Sequence, residues 1–109
     1  MINYTLSNLD EFTSDVYYDA PLVLTPDTTR IRYELLGVGL IFGFWNFPYF
    51  VTLKPLVTWI AASNCAVIKG SELGPYATAS IKKLVTCYLD RRCYRVIEGE
   101  VEAEIELTK

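Results

Sequence analysis

The sequence predicts an α/β fold: a partial doubly wound parallel sheet in the order strand, helix, strand, helix, strand, with a hairpin-like arm ahead of it. Apolar runs of strand length recur at Leu36–Phe42, Cys65–Lys69 and Cys93–Ile97. Between them lie two longer stretches with apolar residues at helical spacing, so each helix joins strands that run the same way through a right-handed crossover. Composition sets the size: 109 residues, 51% hydrophobic and 21% charged, suffice for one core and not for two.

Taken in order, residues 1–20 mix polar and aromatic side chains without a period and read as a loosely held arm. Pro21–Thr29 (PLVLTPDTT) carries turn chemistry at Pro26-Asp27, with Ile31 and Tyr33 beyond, and suggests a hairpin or an extended excursion. The arm is therefore taken as residues 1–30 and the domain as residues 31–109. In the strand Leu36–Phe42, even positions supply Leu36, Val38, Leu40 and Phe42, while Gly37, Gly39, Ile41 and Gly43 face the other way. Such a bare face marks a place where a backbone or ligand comes close.

After Pro48, the residues Leu53, Leu56, Val57, Ile60 and Ala61 predict a buried helix, stopped by Asn64 in a left-handed cap. Cys65–Lys69 (CAVIK) is the second strand. Gly70–Gly74 is a loop, and Pro75 suits the first position of a helix running to Leu89. That helix carries Ala77, Ile81, Leu84, Val85 and Tyr88 on one stripe and Lys82, Lys83 and Thr86 off it. Cys93–Ile97 (CYRVI) is the third strand, Glu98-Gly99 closes it, and Glu102–Leu107 begins another helix.

Charge and composition exclude several functions. A net charge of -3 with no basic cluster beyond Arg91-Arg92 and Lys82-Lys83 leaves no nucleic-acid face. The absence of histidine removes the commonest metal ligand and the usual general base near neutral pH. Cys65, Cys87 and Cys93 are odd in number and lack CxxC spacing, which fits neither a disulfide framework nor a zinc site and points to reduced thiols in a cytoplasmic protein. Residues 1–19 show no basic segment followed by an apolar one, so no secretory signal is expected. The uncharged run Leu35–Leu53 is long enough to cross a bilayer, but Gly37, Gly39, Gly43, Asn46 and Pro48 argue against a spanning helix.

Gly37-Val38-Gly39 and Gly43 do not make a dinucleotide fingerprint, because those glycines lie inside a strand and not after it. Polar residues do stand at strand ends: Phe44-Trp45-Asn46-Phe47-Pro48 after the first, and Lys69-Gly70-Ser71-Glu72 at the end of the second. In open parallel sheets that edge is where ligands bind.

With these blocks, from Glu34-Leu35-Leu36-Gly37-Val38 through Trp45-Asn46-Phe47-Pro48, Ile60–Val67 and Lys69–Glu72 to Tyr88-Leu89-Asp90 and Tyr94–Ile97, the sequence resembles the aldehyde dehydrogenase superfamily in its class 3, fatty-aldehyde-type branch. The likeness runs from about Ile31 to Leu107. It implies a Rossmann-like, NAD(P)-binding domain and, by family, oxidation of aldehydes to carboxylic acids. By the same resemblance, Asn46 is the donor whose side-chain amide stabilises the oxyanion formed when a cysteine thiolate attacks an aldehyde. Without it, Asn46 would read as a cap on the turn before Pro48. Lys69 and Glu72 match positions that hydrogen-bond the adenosine ribose, and a carboxylate there leans toward NAD over NADP.

Two departures stand out: Gly70 replaces the proline usual in the family, and Glu100 stands where a second glycine is common. No cysteine lies in a context resembling the family's nucleophile segment, nor is its general-base glutamate block or later coenzyme-binding glycine loop represented. The chain alone is therefore expected to be inactive, with coenzyme binding weak or absent. Two alternatives remain: an interaction remnant that binds longer relatives, and a small membrane hairpin. Self-association is expected, because both helices fall on one face of the sheet and leave Leu36, Val38, Leu40 and Phe42 uncovered, with Ala66, Ile68 and Tyr94 or Arg95 alongside.

Overall fold

The computed structural model describes residues 1–19, 21–24 and 27–109, with the side chains of Leu24 and Val101 excepted. The chain divides into two compact units, Met1–Leu35 and Leu36–Lys109.

In the first unit, helices α1 (Ile2–Ser7) and α2 (Leu9–Thr13) precede strand β1 (Val16–Tyr18), which pairs antiparallel with β2 (Thr29–Ile31) in the register Tyr17↔Arg30. A 3₁₀ turn spans Leu22–Leu24. The two short helices replace the featureless arm expected from sequence. Each carries one apolar pair at helical spacing, Ile2/Leu6 and Leu9/Phe12, but buries none of it, and local bonds hold them: Asn8 Nδ2 donates to the Tyr4 carbonyl at 2.7 Å and Thr13 Oγ1 to that of Leu9 at 2.9 Å. None of the described residues here is buried, so the unit has no core of its own. An Arg30–Asp15 ion pair at 2.9 Å and a tilted Tyr4–Phe12 contact tie its parts together. The expected turn at Pro26-Asp27 includes Pro26, which lies outside the described residues.

The second unit runs β3 (Val38–Phe42), α3 (Pro48–Ala61), β4 (Cys65–Lys69), α4 (Pro75–Tyr88), β5 (Tyr94–Ile97) and α5 (Val101–Leu107). Its three strands are parallel in the order β3-β4-β5. The expected strand–helix–strand–helix–strand order is therefore observed. The uncharged run Leu35–Leu53 splits into β3, a loop and the start of α3, with Pro48 in the first helical turn. Among the described residues no helix is long and apolar enough to cross a membrane.

The glycine row of β3 faces the helices. A Cβ on Gly39 would run into the Trp59 indole, and one on Gly43 would lie 2.6 Å from Thr52 Oγ1, so only glycine lets α3 come this close. Register places Ala66 beside Gly39 and Ile68 beside Ile41, and both are fully buried with Leu56 of α3 and Ile81 and Val85 of α4. This corrects the expectation that Ala66 and Ile68 flank the bulky row. Because side chains alternate, the neighbours of Val38, Leu40 and Phe42 are instead Cys65, Val67 and Lys69. At the amino end of that row Leu36 is 83% and Val38 71% exposed.

Three further expectations change. In α4 the buried positions are Thr78, Ile81 and Val85, while Leu84 and Tyr88 are exposed. The helix is turned toward Thr78 because Gly70 opposite it has no side chain. At the end of α3 it is Ser63, φ 57°, that takes the left-handed conformation. The Ser63 and Asn64 amides then donate to the Ile60 and Trp59 carbonyls, both at 2.9 Å, closing the helix with a Schellman motif. Finally, Cys65 and Cys93, opposed at the amino ends of β4 and β5 with Cα atoms 4.6 Å apart, are joined as a disulfide, and Cys87 is free and exposed.

Asn64, freed from capping, is buried and ties the amino ends of the strands. Its Oδ1 accepts from the Gly37 amide at 2.8 Å, the Gly37 carbonyl accepts from the Cys65 amide at 2.8 Å, and Tyr94 Oη donates to the Asn64 carbonyl at 3.0 Å. Substituting Asn64→Leu leaves the Gly37 amide without its acceptor and is expected to cost about 1–3 kcal/mol, measured as a lower urea midpoint at unchanged m value. An unchanged midpoint would show that the tie contributes nothing.

Candidate functional site at the carboxyl edge of the sheet

Lys69 ends the central strand, and its side chain is wholly buried. Taking an ammonium out of water costs several kcal/mol unless its protons find acceptors. Here all three do: Nζ donates to the Gly70 carbonyl at 2.8 Å, to Glu104 Oε1 at 3.1 Å and to Glu72 Oε2 at 3.5 Å. The Glu72 carboxylate is partly exposed. A hydrogen bond from its own backbone amide, with the Lys69 ammonium adding to it, holds the Glu72 carboxyl below the usual carboxylate range. It is therefore an ionised acceptor at neutral pH.

The loop that presents Glu72 is tied to α4. Thr78 Oγ1 donates to the Ser71 carbonyl at 3.2 Å, and the Leu73 amide donates to Ser71 Oγ at 3.3 Å. A Cβ on Gly70 would overlap both Cγ2 and Oγ1 of Thr78, so the residue that departs from the usual proline is matched by the threonine pressed against it. Beside this loop is an open cleft of about 250 Å³, walled by Ser71, Glu72, Pro75 and Thr78 on one side and by Glu98 and Glu100 on the other. Ligand pockets usually measure ~300–1,000 Å³. An ionised carboxylate beside a shallow cleft can accept a hydrogen bond from a ligand hydroxyl.

Asn46 lies apart from this pair, in the loop that joins β3 to α3. Its side chain is exposed and has no hydrogen-bond partner among the described residues, and it does not cap α3, whose N-cap is Phe47 without a side-chain bond. The turn-capping role is thus not what the structure shows, and the amide is available to a ligand. The two loops meet at one edge, since a Cβ on Gly74 would lie 4.0 Å from the Trp45 Cα. The cysteines are elsewhere. Cys65 and Cys93 stand at the amino ends of their strands, and Cys87 is near the end of α4, which runs back toward that same edge. No described group of three or more Cys, His, Asp or Glu is arranged to hold a metal.

Sequence reasoning brought out Lys69, Glu72 and Asn46 but missed Glu104. Residues 98–106 hold a glutamate at every second position, Glu98 to Glu106. Nothing in that regularity distinguishes the one that reaches Lys69; only the turn of α5 does.

Comparison with known proteins bears on this edge. The model of the aldehyde dehydrogenase family matches residues 2–108. Over 108 residues the chain is 39% identical to rat aldehyde dehydrogenase family 3 member A2, covering 99% of this chain and 22% of the relative. It is 40% identical to the dog dimeric NADP-preferring aldehyde dehydrogenase, covering 99% of this chain and 24% of that one. The chain thus spans about a fifth to a quarter of the length of these relatives. Among solved structures, substrate-bound Staphylococcus aureus AldH superposes with a TM-score of 0.93 at 35% identity, over 96% of this chain and 23% of that chain. The fold is shared at 18% identity by a Streptococcus pyogenes succinic semialdehyde dehydrogenase in complex with NADP+, with a TM-score of 0.80 over 96% of this chain and 22% of the other.

The Gly70–Thr78 contact makes a direct forecast. Gly70→Ala is expected to destabilise the chain by about 1–3 kcal/mol, and to cost clearly less in a Thr78→Ala background, where Cγ2 and Oγ1 are gone. A double-mutant cycle in urea measures the coupling; additive effects would mean that the loop moves aside instead.

Proposed function

The chain belongs to the aldehyde dehydrogenase family, and from that premise we propose that it supplies two parts of NAD(P)-dependent aldehyde oxidation: an oxyanion donor at Asn46 and an adenosine-ribose contact at Lys69 and Glu72. The observation that carries the reading is the buried Lys69 ammonium at the strand end with the ionised Glu72 beside it. The partly exposed Glu72 carboxylate offers a ribose hydroxyl an acceptor, and Lys69, whose three protons go to Gly70, Glu72 and Glu104, holds that carboxylate in place. The coenzyme, when bound, supplies the hydride acceptor. Asn46 presents a neutral N–H donor to the oxygen on which negative charge develops, and removing one such donor typically costs about 10²–10³ in rate.

The same residues define what these 109 positions do not do by themselves. Asn46 is at the carboxyl edge of the sheet and all three cysteines at the amino edge, a strand's length of about 15 Å away. On this reading none of these three thiols reaches an aldehyde held at Asn46. The purified chain is expected to generate no NADH from NAD and aldehyde. Steady NADH formation lost in Cys65→Ser, Cys87→Ser or Cys93→Ser would overturn this. NAD is expected to bind at roughly millimolar Kd, because only the ribose edge is addressed. Titration followed by amide shifts at Ser71 and Thr78 tests it, with Glu72→Ala weakening the response. Micromolar binding, or millimolar binding indifferent to Glu72, would refute the assignment.

A second reading, association with a second copy of this chain, is favoured by the exposed Leu36 and Val38 on β3, which is an edge strand of the three-stranded sheet. Light scattering at tens of micromolar should give a mass above the 12.4 kDa of one chain, and Val38→Lys should return it to that value. A monomer in the unchanged protein would end this reading.

A further inference from the structure

Glu104 enters the ribose-edge site from α5, a separate element, and takes one of the three protons of Lys69 at 3.1 Å. Its side chain is 39% exposed, so the carboxylate is in contact with solvent while it holds the buried ammonium. Glu72, at 3.5 Å, is the other carboxylate on the same ammonium. One positive charge therefore faces two negative ones. Of the remaining acidic walls, Glu98 is paired with Lys82, while Glu100 has no cation beside it among the described residues.

We propose that Glu104 is a second coenzyme-discriminating residue, which cancels the attraction of Lys69 for a ribose 2′-phosphate and so turns the site toward nucleotides with a free 2′-hydroxyl. The inference rests on the coenzyme reading above. With Glu72 alone, the ammonium and one carboxylate balance, and a 2′-phosphate could trade places with Glu72 on Lys69. With Glu104 as well, the edge is negative even after Lys69 is counted. A dianionic phosphate is then repelled, whereas a neutral hydroxyl gains an acceptor. Glu104 reaches Lys69 from α5 and Glu72 from the loop, so removing Glu104 changes charge without removing the hydroxyl's partner on the loop.

The test uses the whole chain and two probes that differ only by the phosphate in question, 5′-AMP and adenosine 2′,5′-bisphosphate, titrated by NMR at the Ser71 and Thr78 amides. Glu104→Gln keeps the side chain's size and an oxygen for Lys69, and Glu106→Gln, on a glutamate paired with Lys109, is the control. The unchanged chain is expected to favour 5′-AMP. Glu104→Gln is expected to shift the affinity ratio about tenfold toward the bisphosphate, the effect of one partly screened charge, with Glu106→Gln leaving the ratio as it was. Binding of both probes with a ratio unmoved by Glu104→Gln overturns the role of Glu104 and leaves the ribose site standing. Failure of either probe to move those amides in any variant overturns both.

Discussion

A full positive charge buried at the end of the central strand is the constraint to which the carboxyl edge of this molecule answers. Lys69 lies where β4 stops, and alternation along the strand sends its side chain to the face opposite α3 and α4. An uncompensated ammonium there would unbalance a domain whose whole stability is about 5–15 kcal/mol. Each neighbouring element contributes an acceptor: the chain just beyond the strand through Gly70, the loop through Glu72, and α5 through Glu104. The seven residues of α5 have no long apolar stripe to hold them. Their attachment to Lys69 is what gives this face cover at its carboxyl end.

The opposite face is governed by size instead of charge. Three glycines each make room for one larger partner: Gly39 for Trp59, Gly43 for Thr52 and Gly70 for Thr78. The first two draw α3 onto the sheet, and the third draws the start of α4 against the loop that carries Glu72. Packing and site are therefore coupled at Thr78, whose methyl fills the space above Gly70 while its hydroxyl bonds the Ser71 carbonyl. A proline at position 70 would carry a Cβ into Thr78 and lose the amide that donates to the Ile97 carbonyl. In this chain a contact across the loop holds it.

What was legible in the sequence was whatever a period or a block could express. The strands at Val38–Phe42, Cys65–Lys69 and Tyr94–Ile97 and the helices opening at Pro48 and Pro75 were read nearly to the residue. The misassigned neighbours of the bulky row came from cross-strand register, which decides which residues share a face and which no single strand displays. Asn64 was recognised as a helix stop because asparagine tolerates the left-handed region; the competing use of its amide, a bond to Gly37 across 27 positions, depends on tertiary placement. Ser63 carries the left-handed conformation instead. The short helices at Ile2–Ser7 and Leu9–Thr13 carry Ile2, Leu6, Leu9 and Phe12 at helical spacing, but five or six residues each are too few to set that spacing apart from chance. For the site, Lys69 and Glu72 were visible as a block, whereas Glu104 was one of five alternating glutamates and became distinct only through the turn of α5.

The two ends of the sheet are chemically unlike, and that difference decides what the chain is built for. At the amino ends, Asn64, Gly37, Tyr94 and the Cys65–Cys93 pair bind strand to strand, and their polar groups are spent on one another. At the carboxyl ends, the Asn46 side chain has no partner among the described residues and Glu72 remains partly exposed, beside a cleft of about 250 Å³. Polar groups left unsatisfied by the fold are those available to a ligand. A domain stabilised at one edge can keep such groups at the other, because the cost of holding them in place has been met by the glycine-fitted helices and the buried lysine. The same division separates the cysteines from Asn46: Cys65 and Cys93 belong to the edge that holds the sheet together, and Cys87 lies near the end of α4, which runs back to that edge, whereas Asn46 stands at the other.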